Sequence, residues 1–328
     1  MMNRRELLTT FGLCTLAFPL RAGAQQAGKV WRIGFLQSAA RPADGAPPAL
    51  LREALKECGY SDGTNISYVA RWADGKIERL PALAAEIVGL KVDLIVVTGG
   101  PATQIMKEAT STIPVIFVNA GDAVETGLVS RLDRPGKNLT GLNDQASELS
   151  AKRLEILKEV VPTAARIAVI WNETDRAMSL RYVEIGKAAR LLRVTIQPLA
   201  VREPDDFNVA FAAMTRERPD ALLVVADSLT SFNRKRIIDY AAAQRIPAMF
   251  EFDHFARAGG LMAYGANQRE LWRRVAAYVD QILKGGKPAD LPVEQPTKFE
   301  LVINKKTAKA LGITIPQSVL LRADDVIE

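Results

Sequence analysis

A strand, helix, strand unit occurs twice in this chain and restricts it to layered α/β folds. In residues 92–122 an apolar β-branched run ends at Thr98-Gly99-Gly100-Pro101, a helical segment follows, and a second run after Ile113-Pro114 ends at Asn119-Ala120-Gly121-Asp122. The same order returns in residues 220–250: an apolar strand ends at Ala226-Asp227, a helical stretch covers 232–244, and Ile246-Pro247 leads into Ala248-Met249-Phe250. Upstream, Arg32-Ile33-Gly34-Phe35-Leu36-Gln37-Ser38 is matched by Arg166-Ile167-Ala168-Val169-Ile170-Trp171-Asn172, each followed by an amphipathic helix and another strand. Two similar α/β halves are the expectation. Parallel strands joined by helices bring their C-terminal ends to one sheet edge, where small polar residues leave room for a ligand. The Gly99-Gly100 turn at a helix N-terminus would suit a carboxylate, and an ordinary tight turn is the competing reading.

The length of 328 residues allows two domains, and 48% hydrophobic content fits a globular chain with a sizeable core. The net charge of +6 arises from 43 basic and 37 acidic side chains interspersed along the sequence, so no nucleic-acid patch is expected. Arg4-Arg5, an apolar stretch over 7–20 and Ala22-Gly23-Ala24 read as a cleavable secretory leader ending at residue 24; twin-arginine and general routes both stay open. No later stretch is apolar for long enough to span a bilayer. Removal of the leader leaves Cys58 as the single cysteine, expected to be a small buried residue before a Gly59 cap, and no intramolecular disulfide can form.

After residue 254 the pattern changes. Gly259-Gly260 opens a short strand to Gly265, an amphipathic helix covers 270–283, and 285–298 is rich in Pro and Gly. Three segments read as crossings between lobes, about 141–147, 251–258 and 285–298, which would make a hinge. The expected division is 29–142 plus 255–286 for one lobe and 143–254 plus 287–328 for the other.

Several motifs resemble one known family: Ile113-Pro114-Val115-Ile116-Phe117, Gly127-Leu128-Val129, Pro135-Gly136-Lys137-Asn138-Leu139-Thr140-Gly141, Ile282-Leu283-Lys284-Gly285 and Ala310-Leu311-Gly312-Ile313-Thr314-Ile315-Pro316. Across essentially its whole length the chain is similar to substrate-binding proteins of bacterial ABC importers with the type I periplasmic binding protein fold, the tryptophan-binding-type members among them. Members commonly carry Asp-Pro-Val where this chain has Asp122-Ala123-Val124. The resemblance implies two doubly wound parallel-sheet lobes on a three-crossing hinge, closing on a small solute and presenting it to a membrane permease and its ATPase. It implies a periplasmic protein, acting as a monomer, with no cofactor and no nucleic-acid partner.

In such a fold the strand ends nominate Gln37, Ser38, Thr98, Gly99, Gly100, Asn119 and Tyr264 from one lobe, and Trp171, Asn172, Asp227 and Phe250 from the other. Asp227 would hold an ammonium while Thr98 and the Gly99-Gly100 amides hold a carboxylate, suiting an amino-acid-like ligand. A helix N-cap is the competing role for Asp227, and core packing competes for the three aromatics. Glu251 is a weaker candidate, because it sits where a crossing begins.

Catalysis and metal binding fit poorly. The single histidine, His254, excludes a paired-histidine metal site and is read as a polar hinge residue; no Gly-x-Ser-x-Gly elbow, phosphate loop or dinucleotide fingerprint occurs. A secreted solute sensor signalling to a receptor kinase is the alternative, distinguishable by neighbouring genes. A ligand-responsive transcription factor would need a DNA-binding helix pair where the leader stands.

Overall fold

A computed structural model describes residues 29–143 and 146–328, with no side-chain description at 146–148. The leader expected over 1–24 lies outside the described residues. The first lobe contains β1 (Trp31–Gln37), α1 (Ala49–Glu57), β2 (Ile66–Trp72), α2 (Leu80–Gly89), β3 (Leu94–Thr98), α3 (Gly100–Ala109), β4 (Val115–Val118) and β5 (Leu139–Leu142). Its five strands are parallel in the order β2-β1-β3-β4-β5. Side-chain alternation along β3 explains the layers. Leu94 and Val96 enter the core against α1, and Ile95 and Val97 enter the opposite core against α2 and α3. A strand buried on both faces needs helices on both, hence the unbroken apolar run in the sequence.

The second lobe contains α4 (Ala146–Val160), β6 (Arg166–Asn172), α5 (Arg176–Leu192), β7 (Thr195–Val201), α6 (Asp206–Arg216), β8 (Ala221–Val224), α7 (Ser228–Phe232), α8 (Arg234–Ala243), β9 (Ala248–Phe250), α9 (Asp253–Arg257) and β10 (Met262–Ala266). Then α10 (Gln268–Leu283) returns to the first lobe, and β11 (Phe299–Asn304), α11 (Lys305–Leu311), α12 (Gln317–Leu320) and β12 (Asp325–Ile327) complete the second. Its seven strands run β12-β11-β10-β9-β8-β6-β7, parallel except for the β10–β11 pair. The amphipathic stripe of α10 explains its return: Leu271, Val275 and Val279 fill the first-lobe core with Ile33, Leu51 and Leu55.

Three expectations are corrected. β10 pairs with β9 and β11, so residues 262–266, Tyr264 among them, stand in the second sheet and only α10 of the 255–286 span packs on the first. The second crossing is therefore Asn267, not 251–258, which holds α9 inside the second lobe. Cys58 is an exposed thiol at the end of α1.

The crossings run side by side. The Asn143 N–H donates to the Glu294 carbonyl (2.8 Å) and the Asn267 N–H to the Lys298 carbonyl (3.0 Å). In the Asp122-Ala123-Val124 loop, Asp122 Oδ1 accepts from the Val124 and Glu125 amides, both at 2.9 Å. The Ala123 N–H donates to Asn143 Oδ1 (3.2 Å), a bond that proline there would lack, and it ties this loop to the first crossing.

Candidate functional site

The C-terminal ends of the parallel strands in both sheets open onto one interlobe cleft of about 430 Å³, within the range of small-molecule sites. From the first lobe, Gln37, Ser38, Thr98, Gly99 and Asn119 line it. Ser38 is 3% exposed and Thr98 6%, and Ser38 Oγ, Thr98 Oγ1 and Asn119 Oδ1 have no hydrogen-bond partner. Buried polar groups are normally bonded, so three orphaned side-chain oxygens on one wall set it apart from the rest of the core. Strand β4 is followed by Asn119 at φ 52°, a left-handed conformation that asparagine tolerates. Gly99, at φ 86°, turns the chain from β3 into α3. Its N–H donates to the Val118 carbonyl (3.0 Å), so that amide is engaged in the sheet rather than offered to a carboxylate.

The opposite wall carries Asn172 and Asp227, with Asp175 and Ser228 beside them. Asp227 has the capping role as well: Oδ1 accepts from the Thr230 N–H (2.8 Å) at the start of α7, and Oδ2 accepts from Asn172 Nδ2 (2.7 Å). Asp175 caps α5, accepting from the Ala177 N–H (2.9 Å), and is 5% exposed. Burial and then the neighbouring Asp227 charge push its carboxyl up to about 6, against the opposing pull of Arg181 and the Ala177 and Met178 amides.

Phe252, His254, Gln268 and Trp272 also line the cleft. His254, expected at a hinge, instead stacks on Phe252 (5.7 Å between ring centroids) and Phe255 (4.8 Å). Burial pushes it down to about 4, so it is a neutral imidazole at neutral pH; Asp253 opposes this shift and Arg234 adds to it.

Four nominated residues are not on the cleft lining. Trp171 stacks face to face on Tyr182 (3.8 Å) in the core beneath α5. Phe250 is fully buried against Phe255 on the other face of the sheet. Tyr264 packs against the α4–α5 core while its carbonyl accepts from Arg153 Nε (2.7 Å). Gly100 sits at the lobe contact, where an added Cβ would stand 3.2 Å from Asp175 Oδ2. Glu251 is 2% exposed and pairs with Arg181 (3.1 Å) and Arg153 (3.3 Å), a structural ion cluster behind the cleft.

The two that sequence reasoning missed with the most consequence are Asp175 and Trp272. Asp175 had a signal, an aspartate just before a helix and just after the polar end of β6. Trp272 had none, because it adjoins the apolar stripe of α10. Among the described residues no group of three or more His, Cys, Asp or Glu side chains is arranged to hold a metal, and no helix is long and apolar enough to cross a membrane.

Comparison with known proteins agrees with this geometry. The tyrosine-binding protein of Clostridioides difficile is 28% identical over 282 residues, covering 86% of this chain and 81% of that protein. The crystal structure of an ABC domain in complex with L-Trp from Streptococcus pneumoniae is 27% identical, with a TM-score of 0.83 over 91% of this chain and 100% of that one. A conserved domain protein from Vibrio cholerae has the same TM-score and coverage at 29% identity. The family described as ABC transporter substrate binding protein matches residues 41–327, and with two type I periplasmic-binding-protein lobes around a shared cleft this chain belongs to it, as the solute-binding component of an ABC system.

Proposed function

We propose that the chain binds an α-amino acid with an aromatic side chain in the interlobe cleft and delivers it to a membrane permease driven by its ATPase. The observation that carries this reading is the opposition of unlike polar groups across the cleft. Unpartnered Ser38 and Thr98 hydroxyls on one wall suit a carboxylate, and the Asp227 carboxylate on the other suits an ammonium. Phe252 and Trp272 supply apolar surface for a ring. Relatives named for tyrosine and solved with L-Trp fit the same division. The protein acts as a monomer in the periplasm, reached by the cleavable leader, and performs no chemistry on its solute. Ligand bridges both lobes and shifts an open–closed equilibrium through its preference for the closed state.

Thermal unfolding of solute-stripped protein against amino acids, aromatic acids, nucleosides and sugars tests this. Saturation at about a hundred times the dissociation constant adds roughly 2.7 kcal/mol, which raises the midpoint by a few degrees. Shifts confined to aromatic amino acids are expected; shifts from sugars or nucleosides alone would overturn the ligand class.

A further inference from the structure

The second carboxylate of the cleft, Asp175, has a position that Asp227 does not share. It stands at the lobe boundary: an added Cβ on Gly100 of the first lobe would lie 3.2 Å from Asp175 Oδ2 and 3.3 Å from Oδ1. Nearby, an added Cβ on Gly121 would lie 2.3 Å from Ala177 Cβ, and one on Gly99 3.1 Å from Ser228 Oγ. The lobes are therefore in contact around Asp175, and its 5% exposure is partly the work of the opposite lobe. Hinge opening would return this carboxylate to water.

Closure thus buries Asp175 beside Asp227, on the same cleft that Ser38 and Thr98, with their orphaned hydroxyls, line from the other lobe. Two neighbouring carboxylates in a dry site repel and are poorly solvated unless a cation joins them. The groups facing Asp175 are the Asp227 carboxylate, Arg181 of its own helix α5, and the Ala177 and Met178 amides; from the first lobe it meets the backbone of Gly100. Arg181 is itself engaged by Glu251 (3.1 Å) and by the Ala226 carbonyl (3.3 Å).

We infer that Asp175 is a specificity-determining carboxylate that makes lobe closure conditional on a cationic group in the ligand. The inference rests on the amino-acid reading above and deepens it. Without ligand, closing buries a pair of like charges opposed only by backbone amides, Asn172 and an Arg181 that Glu251 already engages, so the empty protein favours the open form. A ligand with a carboxylate and a ring but no amine meets the first-lobe hydroxyls and then fails to close the lobes. An ammonium placed between Asp175 and Asp227 removes the repulsion, so only an aminated solute produces the closed form.

The test compares wild type with Asp175→Asn, which keeps side-chain shape and N-cap capacity while removing the charge. Calorimetry measures L-tryptophan and L-tyrosine against their deaminated analogues, indolepropionate and hydroxyphenylpropionate, and small-angle scattering measures closure with and without each. Circular dichroism and the unfolding midpoint check that the variant is folded. Wild type is expected to close only with the amino acids. In the variant, amino-acid affinity should fall about tenfold or more, the preference over the deaminated acids should shrink by a further factor of that order, and the ligand-free particle should be more compact. A folded variant with the wild-type preference and wild-type ligand-free scattering overturns the role of Asp175 and leaves the ligand class standing. Failure of wild type to bind either amino acid overturns both.

Discussion

Asp175 and Thr98 line the cleft from opposite lobes with opposite electrostatic needs, and each makes a prediction at the level of a single group. The Asp175 carboxyl is raised from 3.8 to about 6 by burial and by Asp227. An acid with a raised folded-state value stabilises the form that buries it when protonated, and this contribution is lost as pH rises through about 6. The ligand-free closed form should therefore gain as pH falls from about 7 to 5. Ammonium binding prefers the ionised form and should weaken over the same window, by up to about tenfold per pH unit below 6. Calorimetric titration of L-tryptophan at several pH values checks this, and Asp175→Asn should flatten the profile. Thr98→Val removes a buried hydroxyl that has no partner within the protein. Replacing an unsatisfied polar group by an isosteric apolar one should leave the ligand-free midpoint unchanged or raise it. Carboxylate binding should nevertheless lose roughly 1.5–3 kcal/mol, so stability and affinity move in opposite directions.

At the level of elements, strand ends were legible and side-chain direction was not. The repeated units mark β3, β4, β8 and β9, and with them the cleft edge where Thr98, Asn119 and Asp227 stand. Trp171 and Phe250 sit at equally well-marked strand ends, yet the pleat turns one toward α5 and the other toward α8 and α9. Phe250→Ala should accordingly cost about 3–5 kcal/mol of stability, read by denaturant unfolding, while ligand affinity in the folded fraction stays close to wild type. An affinity loss at unchanged stability would return Phe250 to the site. The sequence places β10 in the wrong lobe because a short strand reads the same whichever sheet it joins; its partners β9 and β11 fix that only through nonlocal pairing. Helix α9, with five residues, is too short to show a period, which hid His254 and Phe252 from the cleft lining.

For the whole molecule, closure depends on how near the two lobes can come, and Gly121 and Ala177 make the tightest of the three glycine approaches between them. Gly121, at φ 81° after β4, brings its Cα so close to Ala177 that an added Cβ would stand 2.3 Å from the Ala177 Cβ. Gly121→Ala would confound this steric effect with left-handed backbone strain, so the cleaner probe is the other partner. Ala177 lies in the first turn of α5, where leucine is a good helix former and imposes no backbone cost. Ala177→Leu inserts its bulk into the lobe contact without touching the orphaned hydroxyls of the first lobe. The variant should fold with nearly the wild-type ligand-free midpoint, yet its radius of gyration should no longer contract when L-tryptophan is added. Affinity should fall about tenfold or more, because a ligand held by one wall alone loses its differential preference for the closed state. Normal contraction in Ala177→Leu would show that the lobes close along a path that avoids the Gly121 contact, and the hinge would then have to be placed elsewhere than at Asn143, Asn267 and the 285–298 segment.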